Sequence, residues 1–505
     1  MQRRQALSWA AASAAALLLP GCGGGGGSTV PPGPTPTPTP APTPLPAAWQ
    51  ALGRQIQGQL LLPGQEAYEL GRRAANARYD ERRPQAVLRC AAPSDVQAGL
   101  AHALSQGLDF CLRSGGHSYV GASTGSGLVI DVGLLNKVQL QGDVAVVGAG
   151  ATLADVYGTL IPQGRCVASG SCLSVGVAGI TLGGGFGVVD RSQGLACDTL
   201  LGAQLVTADG RLVDCDAERN PELFWALRGG GGGHFGGVTQ LRLRTHATGP
   251  LQQFSADFSL AALPTALAAW QDWPGRGLPD AIWSQFVLPA GSTLFRIWGV
   301  GAGDAAALQP HWEALLQRIG HAPLSRQWLG SSYGSVMMGA CQGYSLPQCH
   351  LPSQRDGGLL GRASMTASSD FFEQPLDAAG IDALAAGVAA RQGVGTVVLN
   401  LMGGAIARVA PEATAFAHRR ALFSAQYLCE YAAGTSESTL ASAELWAQGM
   451  RERMQAWSSG GTYVNYPNAL QARAAEARYG ANLARLQAIK AAVDPQGVFA
   501  PLERA

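Results

Sequence analysis

Arg113-Ser114-Gly115-Gly116-His117-Ser118-Tyr119 is the stretch on which the reading of this chain turns. It follows Asp109-Phe110-Cys111-Leu112, a short apolar run that reads as a strand. Lacking Cβ atoms, Gly115 and Gly116 let the backbone turn sharply and let successive N–H groups converge in a concavity that suits pyrophosphate oxygens. His117 is presented at the rim of that turn. A Gly-Gly-His tripeptide alone is an ordinary polar loop, so its meaning depends on the rest of the chain.

Two further glycine clusters supply that context. Ser169-Gly170-Ser171-Cys172-Leu173-Ser174-Val175-Gly176-Val177-Ala178-Gly179 leads into Leu182-Gly183-Gly184-Gly185-Phe186-Gly187. Later, Leu223-Phe224-Trp225-Ala226-Leu227-Arg228 runs into five glycines, Gly229 to Gly233, and then His234. Apolar structure flanks each cluster, which argues against a bland linker and predicts close backbone approach to a ligand. A dinucleotide fingerprint is excluded, because that motif follows a first strand directly and opens a helix, whereas these glycines are mid-domain and differently spaced.

Outward from the turns, the 505 residues exceed one simple core and predict two domains, three at most. A hydrophobic fraction of 47% against 14% charged residues is a well-packed composition and not a disordered one. A net charge of +1 gives no electrostatic case for nucleic acid. Residues 1–22 read as a leader: Arg3-Arg4, an apolar run from Ala6 to Leu19 too short for a comfortable span, then Pro20-Gly21-Cys22. That end resembles a bacterial lipoprotein box, with Cys22 as the lipid anchor; a plain secretory signal is the alternative, and the paired arginines raise twin-arginine export. Residues 23–47 are Gly-rich, then alternate Thr and Pro, as a tether does. The expected location is outside the cytoplasm, periplasmic or at the cell surface and membrane-anchored. The ten cysteines fit an oxidising compartment; Cys341 with Cys349 could close a local disulfide, Cys90 could pair with Cys111 across strands, and buried thiols are the alternative for all four. No spacing of His and Cys suggests a metal site.

Strands at 86–89, 109–113, 128–132 and 144–147 alternate with helices beginning at Pro93 and Thr152, an α/β signal that persists to Arg244. Beyond Pro250 the texture changes to sheet strands such as 254–258 and 282–286, with helices at 305–319 and 378–392. The boundaries expected are a first domain over 48–247, a second over 248–456, and a closing segment over 457–505 with a helical run from Gln471 to Val493.

The three glycine motifs, together with Tyr463-Val464-Asn465-Tyr466, Tyr479-Gly480-x-Asn482 and Asp494-Pro495, resemble a berberine bridge enzyme-like flavoprotein of the wider vanillyl-alcohol oxidase superfamily, over roughly residues 60 to 500. That resemblance implies an α+β chain: a PCMH-type FAD-binding domain of two α/β subdomains, and an α+β substrate domain with an antiparallel sheet. It implies FAD bonded covalently at two points, through His117 to the 8α carbon and through Cys172 to C6. Arg113, Ser114, Gly115, Gly116, Ser118, Gly176, Gly179, Gly187 and Asn465 fall among the family's cofactor-cradling positions, and Val175 at a position tied to oxygen access. Tyr466 falls where the family carries a tyrosine base; Tyr119 and Gln426 fall on the substrate side.

What the family resemblance implies chemically is hydride transfer from a C–H, on an alcohol or sugar carbon, to flavin N5, and reoxidation by O2 to hydrogen peroxide. The partners are then O2 and a small molecule, bulky if it is an oligosaccharide, alkaloid or polyketide. Two departures stand out. Ser424 occupies the position of a lysine that assists the tyrosine in plant relatives, and Ile180 replaces a histidine. A free tyrosine titrates near pH 10 and is a weak base unless assisted. A dehydrogenase that passes electrons to a quinone or periplasmic carrier is one alternative, and a non-catalytic flavin-binding lipoprotein another. His418-Arg419 reads as structural.

Overall fold

The computed structural model describes residues 47–471 and 473–503. The leader, Cys22 and nearly all of the 23–47 tether lie outside the described residues.

Three large sheets and one two-stranded pair, Arg165–Cys166 with His246–Ala247, organise the described residues. In the first, the parallel strands Ala86–Arg89, Leu128–Asp131 and Phe110–Arg113 lie side by side, and Gln59–Leu61 pairs antiparallel at one edge. The helix Pro93–Gln106 makes the crossover that parallel pairing requires. Its first turn is held by Asp95, which accepts from the backbone N–H groups of Gln57, Gly58 and Ala91. The second sheet, ordered Val138–Gln141, Val144–Gly148, Gly237–Arg244, Leu200–Val206, Leu212–Cys215, is antiparallel throughout. Strand–helix alternation therefore yields parallel pairing only in the first sheet. Leu88 and Ile130 from the first sheet, Val147 and Leu241 from the second, and Tyr479 and Leu486 near the C-terminus share one apolar core.

The third sheet has seven antiparallel strands, from Leu251–Ser259 to Phe423–Ala432 along the chain. Strand residues alternate faces. Phe423, Ala425 and Tyr427 pack on one side into a core with Trp270, Trp312 and Phe286. Four helices cover that side: Leu263–Gln271, Ala305–Ile319, Ala378–Ala389 and Glu437–Met454. Ser424 and Gln426 point the other way. There, Trp298 Nε1 donates to Gln285 Oε1 at 2.8 Å, Gln285 Nε2 donates to Asn400 Oδ1, and Asn400 Nδ2 donates to Ser424 Oγ at 3.5 Å. A ladder of polar side chains thus crosses four strands on the face opposite the helices.

Several expectations change. The run from Gln471 to Val493 is not one helix: Ala474–Tyr479 ends at Gly480, whose φ of 50° and ψ of −129° break the spiral before Leu483–Val493 resumes it. Cys90 does not pair with Cys111. Cys90 lies in the large core while Cys111 packs with Tyr68 and Val129 in a separate apolar cluster, so the two thiols are kept apart. Cys341 and Cys349 are joined. His418 and Arg419 are structural: the His418 ring stacks on Phe371 at 4.2 Å, and Arg419 makes a two-pronged ion pair with Asp198 at 2.8 and 2.7 Å.

Candidate active site

The first glycine turn leaves the end of the Phe110–Arg113 strand. Arg113 is buried and its guanidinium is spent within the protein: Nε donates to Asp131 Oδ2 at 2.7 Å, and the terminal nitrogens donate to the carbonyls of Arg72 and Gly71. Its side chain anchors the strand end from which the turn leaves. Ser114 Oγ donates to the Ala149 carbonyl at 2.7 Å. Ser118 Oγ accepts from Ala122 N at 3.0 Å and closes the far end. Gly116 adopts φ 78°, the left-handed region that favours glycine. The carbonyls of Gly115 and Gly116 are both engaged, by Gln354 and by Ala75 N. Among the described residues, nothing accepts from the backbone N–H groups of Gly115, Gly116 or His117.

The second turn crosses the first. A Cβ on Gly115 would fall 2.1 Å from Gly176 N, and one on Gly176 would fall 2.2 Å from Gly115 N. These two glycines are required by each other's backbone, a packing cause that the sequence does not show. Gly187 is likewise pressed against the Ser169 carbonyl, at 2.1 Å from an added Cβ, and Gly229 against Phe416 at 2.3 Å. Gly179 differs: it is exposed, and a Cβ there would meet nothing within 4 Å. Val175 closes its turn through the backbone, donating to the Cys172 carbonyl and accepting from Leu153 N.

Between the turns sits Ser174, a residue the sequence reading passed over. Its hydroxyl lies 3.0 Å from His117 Nε2 and 3.8 Å from Cys172 Sγ. Burial holds the His117 imidazole down at about 4, so it is neutral at pH 7. Cys172 is exposed to solvent yet ringed by protein, as a residue facing into a cleft is; that environment raises its thiol above the ordinary value, and the Ser174 hydroxyl partly offsets the rise.

Three groups converge from distant parts of the chain on the Cys172 side. Tyr119 and Tyr466 meet edge to face with centroids 5.8 Å apart. Gln426 Nε2 donates to the Tyr119 hydroxyl at 3.0 Å. Burial pushes the Tyr119 phenol well up and that of Tyr466 to about 12, and the nearby Cys172 adds to both. The chain contains two lysines: Lys137 is exposed, Lys490 pairs with Asp494, and Ser424 makes only a weak bond to Asn400, so among the described residues no lysine bonds to Tyr466. Asn465 is fixed by donating to the Ile180 carbonyl at 3.2 Å and to the Tyr463 hydroxyl at 2.9 Å. Where the resemblance expects a histidine, Ile180 contributes its carbonyl to this bond and packs its side chain toward Gly170.

The residues fit FAD. Unspent amide N–H groups at Gly115 to His117 provide a seat for phosphate oxygens, Gly179 leaves room, and a neutral imidazole and a thiol stand on either side of one hydroxyl.

Comparison with known proteins bears on this arrangement. Residues 84–216 match the family described as FAD binding domain, and residues 462–501 the family described as berberine and berberine like. The FAD-linked oxidoreductase YgaK of Bacillus subtilis is 30% identical over 429 residues, 83% of this chain and 90% of that protein. Chitooligosaccharide oxidase of Gibberella zeae is 29% identical over 446 residues, 82% of this chain and 86% of its own. Among solved structures, BBE-like 1 of Physcomitrella patens superposes with a TM-score of 0.81 at 28% identity, covering 90% of this chain and 97% of its own. The fold of glucooligosaccharide oxidase from Acremonium strictum, described with a 6-S-cysteinyl, 8α-N1-histidyl FAD, superposes with a TM-score of 0.80 at 24% identity, covering 90% and 98%. With a PCMH-type α+β architecture and two crossed turns of this kind, the chain belongs to the berberine bridge enzyme-like family of FAD-linked oxidoreductases.

Proposed function

We propose that this enzyme is an oxidase carrying FAD bonded to both His117 and Cys172, and that it converts a CH–OH group of a carbohydrate-like substrate to a carbonyl while O2 is reduced to hydrogen peroxide. The observation that carries the reading is the placement of His117 and Cys172 on either side of Ser174, next to Tyr466, Tyr119 and Gln426. Bound FAD supplies the two-electron acceptor, whose chemistry is its own. His117, neutral, has Nε2 engaged by Ser174, which leaves Nδ1 as the bonding nitrogen. Gly115 to His117 hold the phosphates. Tyr466, whose hydroxyl meets no partner among the described residues, takes the substrate hydroxyl proton. Tyr119, ordered by Gln426, fixes the substrate edge.

The polar ladder Trp298–Gln285–Asn400–Ser424 favours a hydroxyl-rich substrate, since amide and hydroxyl groups beside an indole suit sugar rings. Chitooligosaccharide, glucooligosaccharide and xylooligosaccharide oxidases among the relatives support the same class. The Cys341–Cys349 disulfide supports an oxidising compartment, in keeping with an exported, lipid-tethered body.

A panel of oligosaccharides and simple alcohols with peroxide detection tests the proposal. Turnover with one peroxide per carbonyl is expected. Flavin that bleaches with substrate but reoxidises sluggishly in air would point to a quinone or another carrier instead of O2. Flavin that no member of the panel bleaches would count against catalysis.

A further inference from the structure

The connection after the Ser325–Ser331 strand does not return directly to its own sheet. It crosses to the cofactor side, where Tyr333, Met337, Cys341 and Cys349 join the large core. Two anchors hold this strap. His350 is buried with Nε2 at 3.1 Å from Asp155 Oδ1 and 3.0 Å from Thr152 Oγ1, and Arg355 pairs with the same Asp155 at 2.9 Å. Asp155 lies in the helix whose first residues, Leu153 and Ala154, donate to the carbonyls of Val175 and Leu173 in the second turn.

Between those anchors, Gln354 spends its whole amide. Nε2 donates to the Gly115 carbonyl at 3.0 Å and to the Ser174 carbonyl at 2.7 Å, while Oε1 accepts from Leu351 N at 3.1 Å. Arg89 donates to its main-chain carbonyl at 3.3 Å. The two acceptors are each two residues from an attachment atom: Gly115 from His117, Ser174 from Cys172. One side chain from a third segment therefore ties together the two turns that must present a nitrogen and a sulfur to one rigid ring system.

We infer that Gln354 is a positioning residue for double flavin attachment, an assignment that rests on the covalent reading above. Each attachment replaces one hydrogen of the side chain and one C–H hydrogen of the flavin by a C–N or C–S bond. The two electrons and two protons released are held by the same flavin until molecular oxygen takes them as hydrogen peroxide. The first bond needs only its own turn. The second needs the other turn at a fixed offset, and Gln354 sets that offset.

The test compares full-length protein with Gln354→Leu, Gln354→Asn and a control in the same strap, Gln348→Leu, whose amide bonds only Ser345. Peptide masses report flavin on His117 and on Cys172 separately, and thermal unfolding reports the fold. Gln354→Leu is expected to fold and to carry flavin at one residue, with the doubly attached fraction down about tenfold, the scale of two lost hydrogen bonds. Gln348→Leu is expected to match wild type. Gln354→Asn keeps the amide but draws it back by one methylene, and serves where the leucine variant is insoluble. Wild-type double attachment in a folded Gln354 variant overturns the inference, as does insolubility of both variants, which would make the residue purely architectural. Wild-type protein with flavin on neither peptide overturns the covalent reading and this inference together, and is told apart because it needs no variant.

Discussion

Gly115 and Gly176 meet backbone to backbone, each standing where the other's side chain would have to go. The contact lets the His117 and Cys172 turns lie close enough for Gln354 to bridge them. It separates two kinds of glycine in the same loop. Gly176→Ala forces a methyl against a main-chain nitrogen that cannot yield, and is expected to cost at least about 2 kcal/mol of stability, in the range of buried overpacking. Gly179→Ala meets no protein atom and is expected to leave the unfolding midpoint in place while lowering the flavin-to-protein ratio. Urea unfolding alongside flavin absorbance distinguishes the two, and equal loss of stability in both variants would contradict the assignment.

Ser174→Ala removes the hydroxyl shared by the two attachment residues. The Cys172 thiol, raised by burial, then loses the hydrogen bond that pulls it back, so less thiolate is present at neutral pH. Formation of the sulfur bond in flavin-free protein supplied with FAD is expected to slow about tenfold, the worth of one hydrogen bond to a charged sulfur. Raising the pH from 7 to about 9 is expected to recover much of the loss, because thiolate increases as pH approaches the thiol's pKa. The time course of the Cys172 flavopeptide by mass spectrometry gives the answer. A rate that ignores both the substitution and the pH would remove Ser174 from the chemistry.

How much of this was legible in the sequence depends on whether the signal is local. His117 and Cys172 sit in glycine turns whose order of residues is itself the signal, and the strand 86–89 and helix 305–319 follow from local pattern. At Gly115, Gly176, Gly187 and Gly229 it is protein backbone that leaves no room for a Cβ, and sequence shows that a Cβ is excluded and not what excludes it. The pairing of Arg113 with Asp131 across two parallel strands joins residues 18 apart and has no local mark either. Ser174 and Gln354 left no local mark: Gln354 is 239 residues from Gly115 and 180 from Ser174, and a glutamine in a surface-like Ser-Gln-Arg-Asp stretch carries no pattern.

Tyr466 is expected to act without a cationic neighbour. In wild-type enzyme, log(kcat/KM) is expected to climb with pH through the alkaline range, with no plateau below about pH 10, because burial holds the phenol above its ordinary value. Tyr466→Phe is expected to lower kcat by about 10²- to 10⁴-fold and to flatten the profile, as loss of a general base does. Gln426→Leu leaves Tyr119 in place but unordered and is expected to change kcat/KM by about tenfold, the scale of one hydrogen bond. A Tyr466→Phe enzyme that keeps its wild-type pH slope would move the base to another residue.

Acid stability tests the electrostatics of the whole body. Burial lowers His234, His246 and His418 from 6.5 to about 4, so between those values the unfolded chain binds three protons that the fold refuses. Burial raises Asp190 and Asp370 from 3.8 to about 7, so the fold keeps two protons that the unfolded chain releases. His102, lowered, and Glu430, raised, act in opposite senses in the same window. Three against two leaves the unfolded state ahead by one proton, and stability should rise with pH from 4.5 to 6 by about 1.4 kcal/mol per unit. Flavin-free protein adds His117, also near 4, and should show a steeper slope. Asp190→Asn combined with Asp370→Asn keeps the acceptor oxygens for Gly187 N and Tyr427 while removing both opposing protons, and should roughly triple the slope of the flavin-loaded enzyme. Urea unfolding at several pH values measures it. A slope that the double substitution leaves unchanged would mean that the two carboxyls are ionised inside the fold.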